Sequence, residues 1–313
     1  MTDLIQAVVV EPSIPGRLAI QQVIRPTPLP NEVLIQVAAI SLNRGEIRRS
    51  LTAEAGWRPG WDLAGTIVQT AADGSGPTVG TRVVGFMPGG AWAEIVAVPT
   101  NAIAPLPDSI DFVTASTLPV AGLTALLALE KGGNLLDRSV LITGASGGVG
   151  YFACQLAAAA GAIVTAQVRR LDQVDFVKDA KAAQVIVGNG LSEFGPYDLV
   201  LDSIGDALLP FALENLAIDG TCVTFGATAG SQVTLNASKF YGKGGLSLYG
   251  FILFHELTQQ PASLGLARLV RLVDRGLLKP HIDLKADWSE IGAIAQKLTD
   301  RKFLGKAVLK VSP

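Results

Sequence analysis

The chain has 313 residues, 49% hydrophobic and 17% charged, with a mean hydropathy of +0.40. That composition excludes a disordered or fibrous chain, and the length predicts two domains at roughly 100–200 residues each. Lys plus Arg (25) nearly balances Asp plus Glu (27), so the formal charge of −2 offers no basic field to a nucleic-acid backbone.

Met1-Thr2-Asp3-Leu4 carries an acid and no basic segment, which predicts no secretory signal. Short apolar runs follow at 5–10, 18–23, 33–40, 63–69, 81–86 and 92–98, separated by Pro- and Gly-rich turns; they predict an antiparallel barrel or sandwich. After Pro107 the pattern becomes helical, with Asp108 as the expected N-cap, an interruption at Pro119 and a stop at Gly132-Gly133. From Val140 strands are expected at 140–143, 163–168, 185–187, 199–202 and 222–225, with helices at 149–160, 171–180 and 208–216; alternating βα units predict a parallel sheet covered on both faces. Residues 139–168 carry no charge, long enough for a membrane span of ~20 residues. Glycines at 144, 147, 148, 150 and 161 divide the stretch, so the expectation is a buried strand–helix–strand unit and no membrane association. The last part holds an apolar run at 246–254, an amphipathic helix at 261–275 capped by Gly276, a helix near 288–299 and a strand at 305–311. Cys154 and Cys222 sit in apolar runs without CxxC spacing, which predicts structural thiols in a reducing cytoplasm.

The chemistry is concentrated where Leu141-Ile142-Thr143 runs into Gly144-Ala145-Ser146-Gly147-Gly148-Val149-Gly150. A strand that ends in such a turn and opens a helix offers free N–H groups and a positive dipole end to a pyrophosphate. Ala145 stands at the first glycine of the dinucleotide fingerprint. An acid about 20 residues on would bond a ribose 2′-OH, but Arg169-Arg170 occupies that place. Two guanidiniums suit a 2′-phosphate, so the expected cofactor is NADPH, held by Ser146, Gly147, Gly148, Val149, Arg169 and Arg170. Thr143-Gly144-x-x-x-Gly148-x-Gly150 also fits the short-chain dehydrogenase turn, but no tyrosine here has a lysine four residues later.

The whole chain resembles the medium-chain dehydrogenase/reductase superfamily in its zinc-free quinone oxidoreductase branch. The resemblance rests on Asn43-Arg44-Gly45-Glu46 after Ile40-Ser41-Leu42, on Pro59-Gly60-Trp61-Asp62-Leu63-Ala64-Gly65, on Leu118-Pro119-x-x-Gly122-Leu123-Thr124-Ala125, on the Gly147 turn, on 199–205 and on Gly305-Lys306-Ala307-Val308-Leu309. It implies an α/β fold: a doubly wound Rossmann sheet plus a GroES-like β-barrel. The implied division is a substrate domain at 1–111, an NADPH domain at 112–254 and a return to the substrate domain at 255–313.

By the same resemblance Asn43 and Trp61 stand where zinc-dependent members carry cysteine and histidine ligands, and the two cysteines and His255 and His281 make no metal site. The implied reaction is NADPH-dependent, zinc-independent reduction of a quinone or activated double bond, whose conjugation spreads the developing charge without a Lewis acid. Enoyl or alkenal reduction is the near alternative, and a non-catalytic NADPH-binding sensor or structural protein would keep the same turn. Asn43 is the one expected catalytic contact, as an amide donor to substrate or nicotinamide ribose, or else the cap of a turn. Thr124 is implied to lie against the nicotinamide, or bonds its own helix backbone. Ser203, Gly226 and Phe251 fall at or after strand ends, where open α/β sheets bind ligands. Lys306 reads equally as a solvated surface lysine. The 246–254 run predicts an open edge strand and an isologous homodimer.

Overall fold

The computed structural model describes residues 3–190 and 194–312, and these divide into two units, Met1–Leu123 with Leu257–Pro313, and Thr124–Glu256.

In the first unit β1 (Leu4–Val10) pairs antiparallel with β2 (Leu18–Ile24). The centre is β3 (Glu32–Ser41), on which Val33, Ile35 and Val37, at the two-residue spacing of one strand face, are buried. It pairs antiparallel with β4 (Asp62–Gln69), β6 (Ile95–Pro99) and the C-terminal β15 (Lys306–Lys310). The sheet continues through β5 (Arg82–Phe86) and β7 (Ile103–Pro105) on one side and β14 (Ile282–Asp287) on the other. Val8, Ile35, Leu63, Val96 and Leu309 share one core, each such side chain contributing about 1.5–3 kcal/mol on burial. The pairing of β15 with β3 is what returns the end of the chain to this unit.

α1 (Arg44–Ser50) is a seven-residue helix that the sequence pattern did not show, and the next two helices follow the expected pattern with altered bounds. Asp111, not Asp108, caps α2 (Phe112–Ala115), accepting from the Thr114 N–H at 2.7 Å. A π-turn at Leu118–Gly122 then leads through Pro119 into α3 (Leu123–Glu130). Because Asp62 of β4 accepts from the Val120 N–H at 2.9 Å and Gly122 packs on Leu269, residues 112–123 join the first unit, and the division falls after Leu123 rather than after residue 111.

The second unit runs β8 (Ser139–Ile142), α4 (Gly148–Ala159), β9 (Ile163–Val168), α5 (Val174–Asp179), β10 (Gln184–Val187), β11 (Tyr197–Asp202), α6 (Leu208–Glu214), β12 (Leu216–Thr224), α7 (Ala237–Tyr241), β13 (Ser247–Gly250) and α8 (Leu253–Gln259). Its six strands lie in the order β10-β9-β8-β11-β12-β13, every pair parallel. The uncharged stretch resolves into β8, turn, α4 and β9, and among the described residues no helix is long and apolar enough to cross a membrane. The apolar run at 246–254 is a four-residue edge strand followed by the start of α8, and Leu248 on that edge is 42% exposed. α9 (Ala262–Asp274), ended by Gly276 at φ +69°, and α10 (Ile291–Thr299) belong to the first unit.

Candidate active site

The β8 strand ends in Thr143, and Gly144 then adopts φ +61°, where a Cβ would lie 2.6 Å from Ser203 Oγ. The Gly147 N–H donates to the Gly144 carbonyl at 3.0 Å and closes the turn. Gly147 caps the 12-residue α4 and is exposed. Gly150 sits one turn further in, and a Cβ there would be 2.6 Å from Ala145 Cα. That close approach sets the helix start flush against the strand end, and the first α4 N–H groups, which have no partner within the helix, have no side-chain cap from Gly147. Gln167 holds the turn from β9: its Oε1 accepts from the Gly144 N–H at 3.0 Å, while its Nε2 donates to the Gly188 carbonyl at 2.9 Å.

Asp202 does the same from β11. It is fully buried and accepts from Thr143 Oγ1 at 2.7 Å and the Gly205 N–H at 3.0 Å, and burial pushes its carboxyl above the usual range. Ser203 Oγ donates to the Thr143 carbonyl at 3.1 Å, and a Cβ on Gly226 would lie 2.9 Å from the Ser203 carbonyl. Ser146, Gly147, Gly148, Val149, Ser203 and Gly226 are thus gathered at the carboxyl ends of β8, β11 and β12. Phe251 follows β13 and meets the Phe225 ring edge-on at 6.5 Å. Arg169 and Arg170 follow β9, both exposed. Arg170 is closed on Asp172, with Nε–Oδ1 at 2.9 Å and Nη2–Oδ2 at 3.1 Å, whereas no acceptor among the described residues faces the Arg169 guanidinium. Thr124, 6% exposed, is the second residue of α3.

Asn43 lies in the first unit, at the head of a buried polar cluster. Its Nδ2 donates to Asp62 Oδ2 at 2.8 Å and to Glu46 Oε1 at 3.1 Å, and its Oδ1 accepts from Lys306 Nζ at 2.7 Å. Lys306 Nζ also donates to the Leu42 carbonyl at 2.9 Å and stands 3.2 Å from Asp62 Oδ2, which further accepts from Ser41 Oγ at 2.6 Å. Lys306 is 3% exposed, so it is an interior cation and not a solvated surface lysine. The Asn43 amide is fully engaged by its own chain, which makes it the hub of the cluster.

Sequence reasoning passed over Glu46, Asp62, Gln167 and Asp202 as chemistry. The usable signal was an acid within an otherwise apolar motif, since such a group folds inward only with partners. Glu46 is buried with Oε2 unpartnered, and burial, then the Asp62 charge, raises its carboxyl well above the usual range. A raised folded value favours the neutral form. The associated stability is full below about pH 4 and is lost as pH rises through the folded value. Glu46→Gln, which cannot ionise, should therefore melt higher than the parent at alkaline pH, by about 1–3 kcal/mol, with the gap closing toward acid. Melting curves across pH check this, and a gap independent of pH contradicts it.

Trp61, which the resemblance sets at the place of the zinc histidine, packs its ring on Gly45, where a Cβ would be 2.6 Å from Cη2. Among the described residues no group of three or more His, Cys, Asp or Glu side chains is placed to hold a metal ion. Cys154 and Cys222 are both buried and unbridged, and burial pushes the Cys154 thiol up to about 12, away from nucleophilic chemistry.

Two family models match: an alcohol dehydrogenase GroES-like domain over residues 29–108 and a zinc-binding dehydrogenase over residues 148–267. The chain is similar to a chloroplast envelope quinone oxidoreductase homolog of Arabidopsis thaliana, 30% identical over 314 residues and 92% of each chain. Its fold is similar to that of a mycobacterial protein solved in complex with NADPH, with TM-score 0.87, 25% identity and coverage of 98% of this chain and 100% of the other. It is also similar to CurK enoyl reductase, with TM-score 0.86, 25% identity and coverage of 99% of both.

Proposed function

We propose that this chain, which belongs to the medium-chain dehydrogenase/reductase superfamily in its quinone oxidoreductase-like branch, reduces a quinone or an activated double bond with NADPH and without zinc. The carrying observation is the Gly144–Gly150 turn, whose glycine positions leave the α4 N-terminus bare at the carboxyl edge of a parallel sheet. Those residues fit the cofactor: Gly147, Gly148 and Val149 offer N–H groups to the pyrophosphate, and Ser203, Gly226 and Phe251 lie along the same sheet edge. Bound NADPH supplies the hydride. The chain's own residues bind and orient, and water supplies the proton that completes the reduced acceptor. Asn43, held rigid by Lys306, Asp62 and Glu46, is proposed as a positioning residue rather than an oxyanion donor, since both its N–H groups already point at carboxyl oxygens. An interior tryptophan in place of the ligating histidine supports zinc independence, and the buried thiols suit a reducing cytoplasm. An anaerobic NADPH oxidation screen with 1,4-benzoquinone, 9,10-phenanthrenequinone, an alkenal and an enoyl thioester tests the reading. No turnover with any of them would leave a non-catalytic NADPH-binding protein.

Cofactor choice follows from the arginines. Because Arg170 is already closed on Asp172, Arg169 is proposed to take the 2′-phosphate, and NADPH should bind at least tenfold tighter than NADH. Arg169→Ala should erase most of that preference and Arg170→Ala little of it. Fluorescence titrations decide, and equal binding of both nucleotides by the parent would end the proposal.

A homodimer is proposed through β13. Among the described residues the strand pairs on one side only, with β12; Leu248 on it is 42% exposed and Ile252, just after it, is 59% exposed. An open apolar edge invites a second copy. Light scattering should report about twice the mass of one chain, and Leu248→Lys should shift it toward one, as a charge on an edge strand opposes pairing. A parent at the mass of a single chain refutes it.

A further inference from the structure

A pocket of about 480 Å³ in the first unit is walled by Trp57, Met87, Val96, Ala97 and Pro26, with Arg58 as its one charged residue. Arg58 is half-buried, and among the described residues no carboxylate, carbonyl or hydroxyl accepts from its guanidinium. Its Nε is shut away from solvent without a partner. Burial draws its pKa below the ordinary arginine value, a sign that the cation is incompletely solvated where it stands. An interior guanidinium is usually matched by a carboxylate, because its planar fork fits two oxygens and because an unmatched buried donor is costly. Among the described residues no such match is supplied.

The surroundings favour a negative guest. The segment from α1 to the pocket carries Arg44, Arg48, Arg49 and Arg58 against Glu46 and Glu54, and Glu46 is the acid that burial drives toward neutrality. Arg49 stands over the Trp57 ring at 4.9 Å, adding positive charge behind the aromatic wall. The other walls are apolar, so a small, fully hydrated anion would leave Trp57, Met87 and Val96 without a partner. The volume is that of an ordinary small-molecule site.

We infer that this pocket binds an organic carboxylate, its acid group on Arg58 and its hydrocarbon or aromatic body on Trp57, Met87 and Val96. None of these residues belongs to the Asn43 cluster or the glycine turn, so the inference does not rest on the roles proposed for those residues. Two sources share this chemistry: an acidic acceptor that reacts, and an acid that binds without reacting.

Calorimetric titration of the whole chain without NADPH tests the site, using decanoate with 1-decanol and inorganic phosphate as controls. Decanoate should bind once per chain, at least tenfold tighter than either control. Arg58→Met keeps the apolar bulk and should lower decanoate affinity at least tenfold while NADPH affinity and melting temperature stay unchanged. Ala97→Leu, which narrows the pocket with Arg58 intact, should weaken decanoate as well. Decanoate that fails to saturate, that binds no better than decanol or phosphate, or that binds Arg58→Met as it binds the parent would overturn the inference. With binding established, steady-state inhibition separates the sources: competition with the electron acceptor assigns the acid group to the substrate, and any other pattern assigns it to a second ligand. Both keep the site, and the binding test itself does not depend on the acceptor screen succeeding.

Discussion

Gly150→Val is expected to lower NADPH affinity at least 100-fold, about 2.7 kcal/mol. The new Cβ would stand 2.6 Å from Ala145 Cα and 2.7 Å from the Gly144 carbonyl, both backbone atoms of the turn, so no side-chain adjustment can make room. Either α4 moves away from β8 or the turn opens, and both displace the N–H groups proposed to hold the pyrophosphate. Gly147→Ala is the contrast, because its Cβ would meet only the Gly144 carbonyl at 3.4 Å. That variant should melt like the parent, whereas Gly150→Val should also melt lower, overpacking costing about 1–3 kcal/mol. Equilibrium binding followed by fluorescence, with circular dichroism to confirm folding, gives the comparison. A folded Gly150→Val that binds NADPH as the parent does would remove the turn from the cofactor site.

The parts legible in the sequence were those set by local pattern. β9 was bounded to the residue, because its β-branched run is closed by Gly161 on one side and the arginines on the other, and the glycine turn was readable because strand, turn and helix are contiguous. β14 was not legible, since its Asp283, Lys285 and Asp287 alternate with only half-buried apolar residues. α1 was hidden because its helix is capped by Asn43 and fixed by tertiary partners rather than by an apolar stripe. Asp111 displaced Asp108 as a cap because the Ile110 N–H donates to the Pro107 carbonyl and closes a turn before the helix, placing the first helical N–H groups three residues later. The Asn43 cluster was the least readable: Asp62 and Lys306 are 244 residues apart, and only the pairing of β15 with β3 and β3 with β4 brings them together. Arg170 shows the opposite case, a partner two residues away, Asp172, that the fingerprint spacing does not register.

Lys306→Met is expected to be the most destabilising single change in the first unit, by about 3–5 kcal/mol. The substitution conserves bulk and removes a charge that is 3% exposed, opposite an Asp62 that is fully buried. Asp62 would keep Ser41 Oγ, the Asn43 amide and the Val120 N–H as donors, but its counter-charge would be gone, with the Glu46 carboxyl as the neighbour left in the cluster. The Leu42 carbonyl and Asn43 Oδ1 would also lose their shared donor, and with it the restraint on the segment that leads into α1. Function should follow: if Asn43 positions the substrate, kcat/KM in the acceptor assay should fall more than the loss of folded protein accounts for. The double variant Lys306→Met, Asp62→Asn removes both charges and should recover part of the stability, because the uncompensated carboxylate, not the lost lysine itself, carries the larger penalty. Recovery is partial, since an asparagine at 62 still leaves the Leu42 carbonyl without its donor. Denaturant unfolding of the parent, the two single variants and the double variant measures the coupling directly. If Lys306→Met unfolds at the parent's midpoint, or if the double variant is no more stable than Lys306→Met, the ion pair is not what organises this cluster.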